Sequence, residues 1–395
     1  MYTSQIRRKR DSSLAIAWTE SARQERLKVV QDARDVELDQ LSERLLDAEQ
    51  LRGQIENFVG AMRVPVGMAG PLTVRGEEAQ GSFYVPLATT EGTLVLAVTR
   101  GALAINEAGG VETAATETRV TRAPLFVFSS HRSASAAACW ITRNMEKVRQ
   151  MAEATTRHGR LVSLEPVLYG RRLVLVFSYS TGDASGQNMG TFATDAACRW
   201  IRRQAPFNEV EFYALESNIS HDKKIAALCT PRQRGRRVDA DVTVPRTVVS
   251  SVFKTTPEAM ARVAREGIYS CVLSGAVGAQ AQFANVLTSL FVATGQDVAA
   301  VTECGTGLTL MEVTASGDLY ASVTIPSLLV ATVGGGTRLP GQRECLELLG
   351  CCGMGRARKL AEITGAAVLA GELALVASLA SDTFAIAHRT YGRPV

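Results

Sequence analysis

Between Glu266 and Asp297 the chain runs for 30 residues, Gly267–Gln296, without a charged side chain. A stretch of that kind must sit either in lipid or inside a protein. It exceeds the roughly 20 apolar residues that a membrane-spanning helix needs. It also holds Gln280, Gln282, Asn285, Gln296 and several Gly and Ser, which would be costly in hydrocarbon. The run therefore reads as a buried helix in a soluble core. The composition agrees, with 46% hydrophobic and 21% charged residues, values of a globular chain. At 395 residues the chain has room for about two domains, or one large domain with an insertion, and can bury a core without staples. Its 43 basic and 39 acidic residues give no reason to expect nucleic acid as a partner.

The eight Cys form no C-x-x-C pair and lie far in sequence from the four His, so no metal site is expected. Several sit in apolar runs, as in Cys271-Val272-Leu273, and read as reduced, buried thiols of a cytoplasmic protein. The basic start, Met1 to Arg10, is followed by no apolar signal core. Of the 43 basic residues only 7 are Lys, and two of those, Lys223 and Lys224, are adjacent.

Hydrophobic residues at helical spacing over 20–56 predict an exposed amphipathic helix or helix pair. Phe83–Ala88 predicts a strand, and Glu91–Asn106 a helix capped by Thr89 or Thr90. Leu125–Phe128 and Leu173–Phe177 read as strands. Helices are expected near 134–156 and 186–203, and a strand at Val210–Leu215. This strand, helix, strand, strand, helix, strand order suits a small split β-α-β unit inserted in a larger domain. The rest is helix-rich and ends in a helix around Gly371–Ala387.

No G-x-G-x-x-G, P-loop, G-x-S-x-G or H-E-x-x-H signature occurs. Five places carry chemistry instead. Glu91 stands at a strand-to-helix turn in Ala88-Thr89-Thr90-Glu91-Gly92. Alone, this is an ordinary acidic first turn. Thr181 to Met189 is a run of small and polar residues before a helix, whose free N–H groups suit a phosphate or a plain Asp cap equally well. Asp222-Lys223-Lys224 enters an apolar run. Partial burial beside Asp222 would make a Lys an oxyanion donor; a surface turn is the simpler alternative. Asp297 ends the uncharged run and needs a partner, for which Lys223 would serve. His388, near the C-terminus, is either a general acid or an idle surface His.

At these residues the sequence resembles the 3-hydroxy-3-methylglutaryl-coenzyme A reductase family, in its soluble NADPH-using form. The resemblance is carried by Glu56–Gly60, Pro65–Leu72, Val85–Gly92, Gly182–Met189, Asp222-Lys223-Lys224, Gly295-Gln296-Asp297, Thr332–Thr337 and Ala370–Leu373, in family order. It implies an α+β fold, with a large α-rich substrate domain and an inserted ferredoxin-like cofactor domain. The implied boundaries are 1–56 for an N-terminal helical segment, 57–121 with 215–395 for the large domain, and 122–214 for the small one. It implies reduction of an acyl-coenzyme A thioester to an alcohol by NADPH (NADH left open), in a cytoplasmic homodimer whose sites form between subunits, without nucleic acid or membrane.

By motif, Lys223 would stabilise the carbonyl oxyanion and Glu91 would donate protons. Asp297 would link those two, and His388 would protonate the coenzyme A thiolate. Asp183, Ala184, Ser185, Gly186, Asn188, Met189 and Arg393 would contact the cofactor. Lys224, Asn218 and Asn285 would contact the substrate.

The shell around these residues departs from the family pattern. Thr121-Arg122-Ala123-Pro124 is followed by Leu125-Phe126-Val127-Phe128, with Arg132 displaced from the place of a carboxylate-binding Arg. Glu216 precedes Ser217-Asn218. Arg265, Gln282, Cys229 and Ala300-Val301 stand at other changed positions. Three functions follow: the family reaction yielding mevalonate; a reductase on this fold for a coenzyme A or carrier-protein thioester that lacks the distal carboxylate; and a catalytically silent binding protein. Retention of Glu91, Lys223, Asp297 and His388 together argues against the third.

Overall fold

A computed structural model describes residues 17–227 and 233–392. The chain separates into two units, the first ending at Pro65 and the second starting at Val66. In the first, helix α1 (Glu20–Arg34) starts where the Thr19 side chain accepts the Ala22 N–H. It stops early because Asp35 takes a left-handed φ of 52° and returns its N–H to Gln31 O. Beyond it come only single helical turns, Asp39–Ser42 and Ala48–Leu51, so the helix expected over 20–56 is confined to 20–34 and no second long helix follows it there.

The second unit is a mixed α+β fold built on two sheets. β1 (Val66–Gly76) and β2 (Gln80–Ala88) form a hairpin, with a register shift between Ala69 and Leu72 around Pro71, which has no N–H to give a ladder. Helix α2 (Leu94–Glu107) follows. Thr93, not Thr89 or Thr90, is its N-cap, at φ 76°, while Thr89 Oγ1 accepts the Glu91 N–H at 2.9 Å. Glu91 therefore sits in a turn before the helix.

β3 (Val111–Ala115) pairs with β1. The small sheet then begins with β4 (Val120–Arg122) and β5 (Leu125–Phe128), which lie in line along one side of β7 and are separated by Ala123-Pro124. Two helices, α3 (His131–Arg143) and α4 (Met145–Glu153), precede β6 (Arg160–Tyr169) and β7 (Arg172–Ser180). Helix α5 (Gln187–Ile201) leads to β8 (Val210–Ala214), which pairs with β5. The alternation of β7 sorts its side chains. Leu173, Leu175, Phe177 and Tyr179 pack with the three helices, and Val174 and Val176 face Ala123 and Ile219.

β9 (Arg236–Val244) returns to the large sheet between β3 and β11. The 30-residue uncharged run is not one helix. α6 (Pro257–Ser274) ends at Gly275, φ 72°, and α7 (Phe283–Thr294) begins after a turn. Only α7 is buried as expected. Val272 and Leu273 at the end of α6 are 76% and 91% exposed. β10 (Leu308–Val313) and β11 (Leu319–Leu328) complete the large sheet, in the order β10-β11-β9-β3-β1-β2. After α8 (Pro340–Leu348) comes α9 (Ala357–Ala380), longer and earlier than the terminal helix expected at 371–387. It breaks at Asp382, φ 54°, before the short α10 (Phe384–Ala387). Among the described residues α9 alone is long and apolar enough to cross a membrane, and 78% of its most apolar window is buried in the protein.

Helices α2 and α9 touch at their backbones. A Cβ on Gly101 would stand 1.9 Å from Ala370 O. Gly101→Ala is therefore expected to cost about 3 kcal/mol through overpacking, read as a lowered urea midpoint. A midpoint equal to wild type would show that the two helices separate freely.

Candidate active site

Three groups of side chains were expected to make the site, and each is set by a turn. The first surrounds a cavity of about 350 Å³, which Glu91, Arg100, Gln282, Asn285, His388 and Tyr391 help to line. Asn285, in the first turn of α7, donates from Nδ2 to Glu91 Oε1 at 2.8 Å and fixes that carboxylate. His388 stands edge-on to Phe384, with ring centroids 4.6 Å apart. Arg100 donates to Val252 O from Nε and Nη2 at 3.2 and 3.1 Å, and burial lowers its pKa.

The second group is an ion pair. Lys223 Nζ lies 2.8 Å from Asp297 Oδ2, with both side chains partly exposed. Lys223 has φ 55° and His221 φ 45°, left-handed conformations that cost of order 1–3 kcal/mol each for residues with a Cβ. Asp297 caps a short helical turn, accepting the Ala299 N–H at Oδ1. The preceding residues are tied down. A Cβ on Gly295 would meet Gly336 O at 2.3 Å, and Gln296 bonds both the N–H and the C=O of Ala331. That contact brings the Gly-rich Thr332–Thr337 segment against Gly295-Gln296-Asp297.

Lys223 and Asp297 do not line the cavity that holds Glu91. Within one chain the carboxylate of Glu91 is met by Asn285, so the expected link from Asp297 to Glu91 is not made there. Asp222 is not the partner of the lysines either. Its carboxylate pairs with Arg122 at 3.3 Å and Arg234 at 2.7 Å, because two guanidiniums reach it first. Lys224 Nζ donates to Asp222 O at 3.1 Å, and Asn218 is exposed in the helical turn just before.

The third group is the segment before α5. Gly186, φ 71°, is the N-cap and supplies no side-chain acceptor, so the first-turn N–H groups of α5 stay open to an anion. Asn188 is exposed there, and Ala184 and Ser185 are partly exposed. Met189 packs into the small-sheet core, with its sulfur against Gly159. The Asp183 carboxylate is occupied elsewhere: it accepts the Gly355, Arg356 and Ala357 N–H groups and so caps α9. Arg393 and Cys229 lie outside the described residues.

A family model described as hydroxymethylglutaryl-coenzyme A reductase matches residues 22–393. The chain belongs to that family. A 3-hydroxy-3-methylglutaryl-coenzyme A reductase of Pyrococcus horikoshii is 43% identical over 376 residues, covering 93% of this chain and 91% of that protein. Its counterpart in Methanocaldococcus jannaschii is 42% identical over 375 residues, covering 93% and 92%. Among solved structures, the reductase of Streptococcus pneumoniae superposes with a TM-score of 0.67 at 19% identity, over 90% of this chain and 96% of that one. A class II structure from the same organism, bound to NADPH in open conformations, gives 0.66, also at 19% identity. These structures share the α+β fold.

Four further residues stand around these three groups. Arg234 and Glu303 are fully buried, Gln187 bonds both Arg122 and Arg234, and Glu372 is buried on α9. The signal for the two acids was a lone charge in an apolar stretch, which must be satisfied internally. Glu372 accepts the Ala281 and Gln282 N–H groups and the Thr309 hydroxyl, so it sets the turn that starts α7 and thereby aims Asn285 at Glu91.

Burial raises the Glu372 pKa against those three donors. A group whose folded-state pKa is raised stabilises the fold below its unfolded pKa, near 4.3. It loses that contribution as pH rises to the folded value. Glu372→Gln keeps an acceptor for the two N–H groups and does not titrate. From pH 4.5 upward the wild-type Tm is expected to fall relative to that of the variant. Parallel Tm–pH curves would disprove the shift.

Proposed function

We propose that the chain reduces the thioester of 3-hydroxy-3-methylglutaryl-coenzyme A to mevalonate, releasing coenzyme A and consuming two NADPH and two protons. The observation that carries this reading is the 2.8 Å contact of Lys223 with Asp297. An ammonium oriented by one carboxylate keeps its remaining donors free for a carbonyl oxygen gaining negative charge. When bound, NADPH supplies the hydride for each of the two reduction steps. The residues fit such a dinucleotide: the uncapped N-terminus of α5 with exposed Asn188 offers N–H donors to a phosphate. Ala184, Ser185 and Gly186 border that N-terminus, Met189 supports it from the core and Asp183 holds the segment to α9. Arg393 completes the cofactor contacts of this reading.

Lys223 stabilises the oxyanion. Glu91, aimed by Asn285, gives a proton to the oxygen of the reduced carbonyl. His388, on the rim of the same cavity, protonates the departing thiolate. Lys224 and Asn218 bind the acyl group. Asp297 orients the Lys223 ammonium and bridges to the partner subunit's Glu91. The homodimer in this reading is supported by two features. Glu91 and Lys223 stand around different parts of one chain, and Tyr269, Val272 and Leu273 leave an apolar end of α6 exposed. The reading places a cofactor domain at 122–214 within a substrate domain of 57–121 and 215–395, after a helical segment 1–56. It places the enzyme in the cytoplasm, in keeping with seven free cysteines among the described residues.

A second reading, a thioester without the distal carboxylate, is favoured by Glu216 beside the lysine loop. Arg122 lies 3.8 Å from that carboxylate, which also accepts the Ser217 N–H, and burial raises its pKa. All three reduce its repulsion of a substrate anion, so the family substrate is preferred.

The test is NADPH oxidation by the purified protein, with 3-hydroxy-3-methylglutaryl-coenzyme A compared against uncharged acyl-coenzyme A thioesters. Two NADPH are expected per coenzyme A released, with the family substrate turned over fastest. Lys223→Met is expected to lower kcat at least about 10³-fold with an unchanged Tm. No oxidation with any thioester, or full activity in Lys223→Met, would overturn the reading. Faster turnover of an uncharged thioester would favour the second.

A further inference from the structure

Behind Lys223 lies a set of charges with no role in the steps above. Arg234 and Glu303 are both completely buried and form an ion pair between Nη1 and Oε1. Buried ion pairs are generally no better for stability than apolar residues of the same size, so the placement of these two calls for another account. Their remaining contacts give one. Glu303 Oε1 also accepts the backbone N–H of Lys223 at 3.4 Å. Arg234 Nη2 donates to Asp222 Oδ1 at 2.7 Å and to Gln187 Oε1 at 2.9 Å. Arg122 repeats the pattern, donating to Asp222 Oδ2 at 3.3 Å and Gln187 Oε1 at 2.8 Å. The side chain before Lys223 and the N–H of Lys223 itself are thus both fastened to buried groups. Gln187, the first residue of α5, is fastened to the same groups.

We propose that Arg234 and Glu303 are positioning residues that lock Lys223 in its left-handed conformation, and that Gln187 joins this lock to the start of α5. Lys223 at φ 55° points its ammonium at Asp297 only while that conformation holds. In an extended conformation the backbone would turn the side chain away. The charges are arranged for this purpose. Two guanidiniums hold both oxygens of Asp222, and the planar fork of Arg234 spans Asp222, Gln187 and Glu303 at once, which an ammonium could not do. Displacement of a catalytic group by about 1 Å costs about 10²-fold in rate, so a lock of this kind acts on kcat rather than on substrate binding. The inference rests on Lys223 being the oxyanion-stabilising cation.

The experiment uses the full chain with 3-hydroxy-3-methylglutaryl-coenzyme A and NADPH. Glu303→Ala removes the acceptor of the Lys223 N–H. It is expected to lower kcat about 10²-fold with both KM values near wild type. Glu303→Gln keeps an acceptor and is expected to restore most of that rate. Should Glu303→Ala fail to fold, Gln187→Met at the half-buried edge removes the acceptor shared by Arg122 and Arg234. It is expected to lower kcat with the same unchanged KM values.

A second readout needs no turnover. Hydrogen exchange of the Lys223 amide is expected to speed up in Glu303→Ala or Gln187→Met and to stay slow in Glu303→Gln. A folded Glu303→Ala, or Gln187→Met in its place, with wild-type kcat and unchanged exchange at Lys223 would overturn the lock. So would a loss of rate that appears only as raised KM or lowered Tm. If instead Lys223→Met keeps full activity, the proposed function fails, while the exchange readout still decides whether these residues hold Lys223.

Discussion

Helix α9 is buried almost end to end, and three carboxylates at or on it bind the rest of the second unit together. Its apolar surface supplies adhesion, which is not directional. Its polar contacts supply register. Asp183 caps its first turn and so fastens the segment before α5 to it. One turn further on, Glu362 accepts the Glu78 and Ala79 N–H groups at the tip of the β1–β2 hairpin. Glu372 then takes the two N–H groups that precede α7. Glu362 and Glu372 are ionisable groups in an apolar setting, tolerable only because donors surround them. The segment before α5, the hairpin that leads to Glu91, and the helix that carries Asn285 are therefore placed by one rod.

This arrangement explains why the groups of the proposed site fall into separate sets. Glu91 and Asn285 are indexed to α9 through the hairpin and through Glu372. Lys223 and Asp297 are indexed to a different scaffold, the Gly295–Gly336 backbone contact and the Arg234–Glu303 pair. The two sets have few polar links in common, so either could shift without disturbing the other. A site assembled from both requires the scaffold to be stiff twice over, and the buried charges lie at the points where stiffness is needed.

Much of this was legible in the sequence, where local signals and motif order agreed. The strand and helix order of the small sheet, the turn carrying Glu91 and the pairing of Lys223 with Asp297 all followed from residue type and spacing. The failures share a cause. The uncharged run reads as one helix because nothing local distinguishes an apolar helix end facing solvent, as at Val272 and Leu273, from one facing a core. Capping is a local rule and points to Thr89 and Thr90, whereas α2 starts at Thr93 with φ 76°. Nothing local marks what the carboxylate of Asp183 binds within the chain, and Asp222 reads as the partner of a lysine. Their true partners are far away in sequence: the start of α9 in the first case, Arg122 and Arg234 in the second. Composition and periodicity do not encode contacts of that range, whereas a lone acid in an apolar run, such as Glu303 or Glu372, does announce that such a contact exists.

The scarcity of lysine fits the same picture. Among the described residues the buried Lys or Arg side chains are all arginine, Arg23, Arg122, Arg234 and Arg236, and each serves more than one acceptor. A guanidinium stays charged when desolvated and divides its donors among fixed directions, which suits a framework. An ammonium is a compact charge whose proton can be tuned by its neighbours. Lys223 is only half-buried and meets a single carboxylate, leaving donors free. A chain that uses arginine for structure and keeps lysine at this position separates two tasks that one cation type could not perform equally well: arginine fixes the geometry, and the lysine, in its proposed role, meets a developing negative charge.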